Sequence, residues 1–282
     1  MNFDGEIIRS RQNRAVVELC KLTDRKAREM GKIFRFDDIK LLGEAIKNGV
    51  TLEKIFFKES DFERLTRQIQ DVYGMSALDG AGRILVVSDD LFDKISEEKS
   101  PEGVISVAKY IDKLQKNATI YNSAYFSELE NHSVVLLESV RDPSNIGAVI
   151  RSAAAMGIDR LIISSDCADI YHPRAVRASM GTLFNQPIDR AENLCEVIAG
   201  LRQSGRRVFA AALDENAVRL GGFPIEKGDC VVIGNEGHGL SPETIAACNR
   251  SVLIPMSGRA ESLNAAVAAS VLMWEFFKDS IL

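Results

Sequence analysis

The sequence predicts an α/β protein in which helices cover both faces of a mostly parallel sheet. Short apolar segments with strand character alternate with helical segments along the chain, most regularly in its second half. Strands there, such as Val134–Ser139 and Cys230–Gly234, are apolar almost throughout, which is typical of strands buried on both faces of a parallel sheet. Six of the seven prolines lie at Pro143 or beyond, so the two halves are built differently.

A first unit is predicted over residues 1–115. It opens with a helix that has apolar residues on one side and arginines and lysines on the other. An aspartate, Asp37 or Asp38, is placed to cap its second helix, because a side-chain oxygen there can accept from the free amides of the first turn. The predicted elements, in order, are the helix Arg11–Met30, the strand Lys32–Phe36, the capped helix ending at Ile46, the strand Leu52–Phe57, the helix Phe62–Gln70, and the strands Arg83–Val87 and Gly103–Ala108.

A connector over residues 116–131 is polar and aromatic without clear periodicity, which indicates a linker that partly packs. The second unit is predicted over residues 132–282. Its elements are the strand Val134–Ser139, the helix Ile146–Met156, the strand Arg160–Ser164, the helices Pro173–Met180 and Ala191–Gln203, the strands Arg207–Leu213 and Cys230–Gly234, the helix Pro242–Cys248, the strand Ser251–Ile254 and the helix Ser262–Lys278.

Composition excludes several classes of function. The 282 residues carry a formal net charge of -5, so bulk positive charge alone does not attach this protein to nucleic acid or membrane. Five cysteines without a C-x-x-C pair predict reduced, buried thiols in a cytosolic protein rather than a disulfide framework or zinc finger. The first residues lack an apolar leader, and the longest apolar stretch, Ala265–Trp274, is too short to span a bilayer.

Three polar loops follow apolar strands of the second unit, where ligands bind in open α/β sheets. They span residues 140–147, 234–243 and 255–264. Each has a simpler explanation alone: Asp142 and Asn145 suit a turn and a helix cap, and glycine-rich loops are common turns. Ser262 is most simply the N-cap of the last helix. The second loop lacks the spacing of a dinucleotide-binding or phosphate-binding loop. Together, the three loops predict a shared site.

The motifs in these loops resemble those of the SpoU/TrmH-type RNA methyltransferases of the SPOUT superfamily, in the same order and over essentially all of residues 132–282. The matching segments are Asp142-Pro143-x-Asn145-x-Gly147-Ala148-x-x-Arg151-Ser152-Ala153, Arg174-x-x-Arg177-Ala178-Ser179-Met180-Gly181, Ile233-Gly234-Asn235-Glu236-Gly237-x-Gly239-Leu240, and Ile254-Pro255-Met256 with Glu261-Ser262-Leu263-Asn264.

This resemblance implies a knotted catalytic domain, with a deep trefoil knot at its carboxyl end that binds S-adenosylmethionine. It also implies homodimers and methyl transfer to a ribose 2′-oxygen of RNA. The first unit is similar, more loosely, to the RNA-binding domain that precedes this catalytic domain in ribosomal-RNA methyltransferases. We therefore expect a cytoplasmic enzyme whose substrate is ribosomal RNA, with no metal and no membrane attachment.

The resemblance also implies which residues act. The expected catalytic residues are Asn145, Arg151, Glu236, Ser262 and Asn264. The family pattern gives Arg151 the activation of the 2′-hydroxyl. Because a guanidinium is normally protonated, its simpler role is to hold the target phosphate and hydroxyl in line, with the phosphate accepting the proton. Glu236 could hold Arg151 by a charge-assisted pair or satisfy the amides of its own loop.

The cofactor is expected to meet mainly backbone, which glycines allow to approach closely, and an apolar slot. The expected cofactor-binding residues are Ile233, Gly234, Asn235, Gly237, Gly239, Ile254, Met256, Ser262 and Leu263. Candidate RNA contacts are Arg11, Arg14, Arg141 and Arg177, although the basic face of the first helix is as well explained as a solvated surface. None of the three histidines has ligand spacing to cysteines or carboxylates, so no metal site is predicted.

Three other functions remain open from the sequence: a transfer-RNA 2′-O-methyltransferase, a catalytically silent RNA-binding relative and a nucleotide-dependent dehydrogenase. The joint presence of Asn145, Arg151 and Glu236 with Ser262 and Asn264 disfavours the silent relative. The missing glycine fingerprint in the first strand–helix turn disfavours the dehydrogenase.

Overall fold

The computed structural model describes residues 3–111, 115–118, 122–214, 216–235 and 237–281. Contacts divide the chain into two compact units, residues 1–111 with 169–185 and residues 112–168 with 186–282. None of the described helices is long and apolar enough to cross a membrane.

The first unit is built on a mixed sheet. Its strands are β1 (Phe3–Ile8), β2 (Ile33–Asp37), β3 (Leu52–Lys58), β4 (Arg83–Val87) and β5 (Val104–Lys109), in the spatial order β1-β4-β3-β5-β2. The β1, β4 and β3 strands are parallel, and β5 runs antiparallel to both β3 and β2. The strand β1 and the helix after β4 were not predicted, because both are short and β1 is largely polar.

The helices of this unit are α1 (Arg14–Lys21), α2 (Arg25–Gly31), α3 (Ile39–Lys47), α4 (Phe62–Tyr73) and α5 (Asp89–Ile95). The single helix predicted over residues 11–30 is wrong. Asp24 has extended backbone angles and its side chain accepts from the amide of Ala27, so it ends α1 and starts α2 as a cap. Asp38, one of the two predicted caps, accepts from the amides of Lys40 and Leu41 at the start of α3.

The rest of the chain supplies a parallel sheet with helices, as predicted. Its strands are β6 (Gln115–Ala118), β7 (Val134–Leu137), β8 (Arg160–Ser164), β9 (Ile188–Ala191), β10 (Val208–Ala211), β11 (Val218–Arg219), β12 (Cys230–Ile233) and β13 (Arg250–Leu253). Its helices are α6 (Ser123–Glu128), α7 (Pro143–Ala155), α8 (Pro173–Ser179), α9 (Leu194–Gln203), α10 (Pro242–Ala247) and α11 (Ala265–Ile281). The strand order is β11-β13-β10-β12-β7-β8-β9-β6, and every pairing is parallel.

The α8 segment, residues 169–185, packs within the first unit, although the predicted division placed it in the second. The guanidinium of Arg28, 1% exposed, donates to Asp169 from Nε at 3.0 Å and from Nη2 at 2.6 Å. Tyr171 stacks on Tyr110 at 3.9 Å between ring centroids and lies 4.6 Å from Phe34. Buried aromatic and charge contacts therefore hold this segment in the first unit.

The other differences between the predicted and the observed elements in the second half of the chain concern short strands and helices. The predicted connector contains β6 and α6. The strand β9 ends at Ala191, where a helix was expected to begin, and α9 starts at Leu194 under the cap Asn193. Because the sheet is parallel, β7, β12 and β13 end at the same edge, and the three polar loops follow these strands.

Candidate active site

The first loop follows a strained residue and leads into a capped helix. Ser139, the second residue after the end of β7, has a φ of 54°, in the left-handed region that non-glycine residues rarely adopt. Asp142 caps α7, since its Oδ1 accepts from the amide of Asn145 at 2.9 Å, and Pro143 occupies the first turn. The predicted cap and turn roles of this loop are thus present, and the cap sets the position of Asn145.

The second loop closes on itself through its glycines. Asn235 and Gly239 form a two-residue bridge, with N–H···O distances of 3.0 and 2.9 Å. Gly234 lies so close to this bridge that a Cβ would come within 2.4 Å of the carbonyl carbon and oxygen of Gly239. The loop therefore requires glycine at position 234 because its backbone crosses itself there.

Glu138 fastens this loop to β7, a role that sequence reasoning missed. Its carboxylate accepts from Ser241 at the amide, 2.8 Å, and at Oγ, 2.9 Å, and from Thr244 Oγ1 at 2.5 Å. These donors belong to the start of α10, which follows the second loop. The role could have been predicted from the sequence, because a glutamate that follows a buried apolar strand needs hydrogen-bond donors for its carboxylate.

The third loop meets the first through two asparagines. Asn264 Nδ2 donates to Asn145 Oδ1 at 3.0 Å, while Asn264 Oδ1 accepts from the amide of Ala266 at 2.9 Å. Asn264 is thus the residue whose side chain caps α11. The predicted capping role of Ser262 is wrong: this exposed residue lies three positions before the helix, where its side chain cannot cap the first turn.

A pocket of about 510 Å³ opens beside the second and third loops. All nine residues predicted to bind a cofactor line it, together with twelve that were not predicted. Three of these twelve, Ala211, Ala212 and Leu213, lie at and just after the end of β10, which runs between β12 and β13. The order of strands in the sheet would have identified them, but one sequence does not give that order.

The side chain of Arg151 on α7 is exposed. Among the described residues, this side chain has no hydrogen-bond or ion-pair partner. It follows Asn145 by six residues, which is about 240° around the helix, so the two side chains point in different directions. Ser152, beside it, bonds to Ser270 of α11 at 2.8 Å between hydroxyl oxygens. Glu236 lies outside the described residues.

The four candidate RNA contacts are exposed arginines, and three of them form ion pairs with carboxylates of the protein. Arg14 donates to Glu18 at 2.9 Å, Arg177 to Glu98 at 2.6 Å, and Arg141 to Asp166 at 3.4 Å; Arg11 is exposed. Hydrogen bonds from Lys54 and Arg14 lower the pKa of Glu18 to about 2. Burial opposes ionisation of Asp166, but hydrogen bonds from Ser139, Ser164 and Arg141 outweigh it and lower the pKa. Both carboxylates therefore stay charged beside their arginines.

Comparison with known proteins identifies the family. The model of the SpoU rRNA Methylase family matches residues 132–274, and that of the MRM3-like substrate binding domain matches residues 13–106. The chain belongs to the SpoU rRNA methylase family. The predicted family is confirmed, and with it the α/β fold class and the enzyme class of RNA methyltransferases.

Sequence matches between this SpoU methylase and its relatives span both units. The protein is 28% identical over 267 residues to the 23S rRNA (guanosine(2553)-2′-O)-methyltransferase RlmP of Bacillus subtilis strain 168, and the match covers 95% of this chain and 97% of the relative. It is 33% identical over 203 residues to a 23S rRNA (uridine(2479)-2′-O)-methyltransferase of Streptomyces viridochromogenes, covering 70% and 68%. The crystal structure of an AdoMet-bound rRNA methyltransferase from Sinorhizobium meliloti matches with a TM-score of 0.79, 26% identity and 98% coverage of each chain.

Within the described ranges, no cluster of three or more histidine, cysteine, aspartate or glutamate side chains is arranged to bind a metal ion. The five cysteines are free thiols.

Proposed function

We propose that this protein transfers a methyl group from S-adenosylmethionine to a ribose 2′-hydroxyl of ribosomal RNA, with 23S rRNA as the substrate molecule. The observation that carries the proposal is the meeting of three motif loops at one edge of the parallel sheet, two of which line a single pocket. Relatives whose names specify 23S rRNA 2′-O-methylation match nearly the whole chain or about two thirds of it, which supports the same reaction here.

The pocket fits the cofactor by size and by lining. Its volume of about 510 Å³ falls within the range of about 300–1,000 Å³ usual for small-molecule sites. Gly234 lines it with backbone alone, and Ile254, Leu263 and Leu272 offer an apolar wall. When bound, the cofactor supplies a methyl group on a sulfonium, which is a strong electrophile and needs no metal.

The protein's own task is to align the ribose hydroxyl and to let its proton leave. Arg151 is exposed and carries a planar set of donors, which suits it to grip a phosphate beside the target ribose. Asn145, fixed by Asn264 and by the cap Asp142, presents an amide that can orient that ribose. In this scheme the gripped phosphate accepts the proton. Glu236 stays a candidate partner of Arg151, and Ser262 a candidate contact to the substrate or cofactor.

The first unit is assigned to RNA binding, and Arg11, Arg14, Arg141 and Arg177 are the candidate phosphate contacts of the chain. The match to a substrate-binding domain over residues 13–106 supports the role of the first unit and includes Arg14. The bacterial relatives that modify ribosomal RNA support the predicted cytoplasmic location. The trefoil knot at the carboxyl end remains part of the proposal, as expected for the family.

The predicted homodimer is supported by an exposed apolar stripe on α11. Val267, Val271 and Trp274 are 49%, 37% and 47% exposed and lie on one face at helical spacing. This stripe is continuous in sequence with the Asn264 cap, so a second copy seated there would adjoin the active site.

We expect Val271→Asp to shift the protein from dimer to monomer in sedimentation velocity, while Val17→Asp on α1, equally exposed at 37%, leaves it dimeric. An unchanged dimer in Val271→Asp would contradict this use of α11.

The reaction is tested with purified protein, S-adenosylmethionine carrying a tritiated methyl group, and unmodified 23S rRNA transcribed in vitro. Digestion to nucleosides should yield one labelled 2′-O-methylnucleoside. Calorimetry should detect binding of S-adenosylhomocysteine and not of NAD. Label in a base, label only with transfer RNA, or no binding of S-adenosylhomocysteine would overturn the proposal.

A further inference from the structure

Two consecutive residues that follow β7, Glu138 and Ser139, hold both ends of the glycine-rich second loop. Glu138 binds Ser241 near the end of this loop and Thr244 in the first turn of α10. The carbonyl of Ser139 accepts from Asn235 Nδ2 near its start, at 2.7 Å. The loop that lines the cofactor pocket is therefore fastened to the strand from which the first loop departs.

Ser139 needs these contacts because its backbone is strained. A left-handed conformation costs a non-glycine residue roughly 1–2 kcal/mol. Three hydrogen bonds join Ser139, Ser164 and Asp166. Ser139 Oγ donates to Asp166, the Ser139 amide donates to Ser164 Oγ at 2.9 Å, and Ser164 Oγ donates to Asp166 at 2.6 Å. The direction in which the chain enters the first loop is thus fixed by side chains from β8 and from the second loop.

Asn235 uses the two ends of its carboxamide for two different loops. Its Oδ1 accepts from the amide of Gly237 at 2.7 Å, which shapes the second loop, while its Nδ2 holds Ser139. The side chain that the sequence assigned to the cofactor is therefore engaged by protein at both ends. What Asn235 leaves for a cofactor is its place in the pocket wall.

We propose that Asn235 is a positioning residue that links the cofactor pocket to the catalytic loop, an inference that rests on the proposed function. Ser139 precedes the cap Asp142 by three residues, and that cap fixes Asn145 and the start of α7, which carries Arg151. A shift at Ser139 displaces these groups relative to the pocket. The Asn235–Ser139 bond therefore governs alignment of the RNA with the bound cofactor and leaves cofactor affinity to the rest of the pocket.

The substitution Asn235→Asp separates the two roles. A carboxylate keeps the oxygen that accepts from Gly237, but it replaces the donor with an oxygen that repels the Ser139 carbonyl. Misplacing a reacting group by about 1 Å can cost ~100-fold in rate, so we expect kcat to fall about 10- to 100-fold. The dissociation constant of S-adenosylhomocysteine and the KM for 23S rRNA should stay within about threefold of the wild type, because the pocket walls and the RNA-binding unit are unchanged.

Asn193→Asp is the matched control. Asn193 is exposed and caps α9 through its Oδ1, which an aspartate retains, so this variant should keep wild-type kcat. Ser139→Gly tests a different contact, the one that holds Ser139 to Asp166. Glycine accepts the φ of 54° and keeps the carbonyl that Asn235 binds, but it removes the hydroxyl that Asp166 holds. We expect a several-fold loss of kcat at unchanged affinity for S-adenosylhomocysteine.

The inference is overturned if Asn235→Asp keeps wild-type kcat, or if its affinity for S-adenosylhomocysteine falls as far as kcat does. Should that variant fail to fold by circular dichroism, Asn235→Ala decides, because it removes the donor to Ser139 without adding a charge, and full kcat in it overturns the inference. Failure of the proposed function is distinguishable, because the wild-type protein itself would then neither bind S-adenosylhomocysteine nor methylate 23S rRNA.

Discussion

Gly234→Ala is expected to damage the cofactor pocket through one added methyl group. The Cβ of an alanine at this position would lie 2.4 Å from the carbonyl group of Gly239 and 2.6 Å from the amide nitrogen of Leu240. Ordinary carbon contacts are about 3.5–4.0 Å, so backbone must move by roughly 1 Å. The atoms in the way are backbone and cannot rotate aside as a side chain would.

The size of the effect follows from that displacement. Forcing an extra methyl group into packed structure costs about 1–3 kcal/mol. If the loop opens at the Asn235–Gly239 bridge to relieve the overlap, the pocket wall is lost and the cost appears in ligand affinity. Since about 1.4 kcal/mol corresponds to a tenfold change, we expect affinity for S-adenosylhomocysteine to fall about 5- to 150-fold.

Isothermal calorimetry with S-adenosylhomocysteine measures this loss, and Gly80→Ala, at a glycine that does not line the pocket, is the control. Its Cβ would meet nothing within 4 Å, and its φ is not in the left-handed region. We expect the control to bind within about threefold of the wild type, because the pocket is untouched. Equal affinity in Gly234→Ala and wild type would refute the close approach seen in this loop.

Three further predictions concern other parts of the chain. Arg151→Ala should abolish methyl transfer to 23S rRNA while S-adenosylhomocysteine still binds in calorimetry; near-wild-type turnover would remove this arginine from the mechanism. Arg28→Ala should destabilise the first unit by about 3–5 kcal/mol in urea unfolding, because it leaves the Asp169 carboxylate without its buried partner; a loss below about 1 kcal/mol would contradict that role. Burial raises the pKa of the Cys230 thiol to about 12. Iodoacetamide at pH 8 should therefore label this residue only after denaturation, as measured by mass spectrometry. Labelling of Cys230 in the native protein would contradict its burial.

Local patterns in the sequence predicted most of the second half of the chain. Apolar strands such as Cys230–Ile233 are continuous in sequence, and the polar residues that follow them lie at the carboxyl edge of the sheet for purely topological reasons. This is why nine predicted residues line one pocket. The cap at Asp142 was also predictable, because a capping carboxylate and its amide are three residues apart.

The features that escaped prediction depend on distant partners or on exceptions to local preference. The α8 segment joins the first unit through Arg28 and Asp169, which are 141 residues apart in sequence. The left-handed Ser139 goes against the preference of its residue type and is held by Asp166 and Asn235 from other elements. The break between α1 and α2 is a different case, since Asp24 is a local cap signal that a single long helix overlooked.

The most direct test of the central claim is a transcriptome-wide map of 2′-O-methylation in cells with and without the gene for this protein. The account predicts that one 2′-O-methyl mark in 23S rRNA disappears on deletion. It also predicts that the mark returns with the wild-type gene and does not return with Arg151→Ala. An unchanged ribosomal map, or a mark lost only from transfer RNA, would contradict the account.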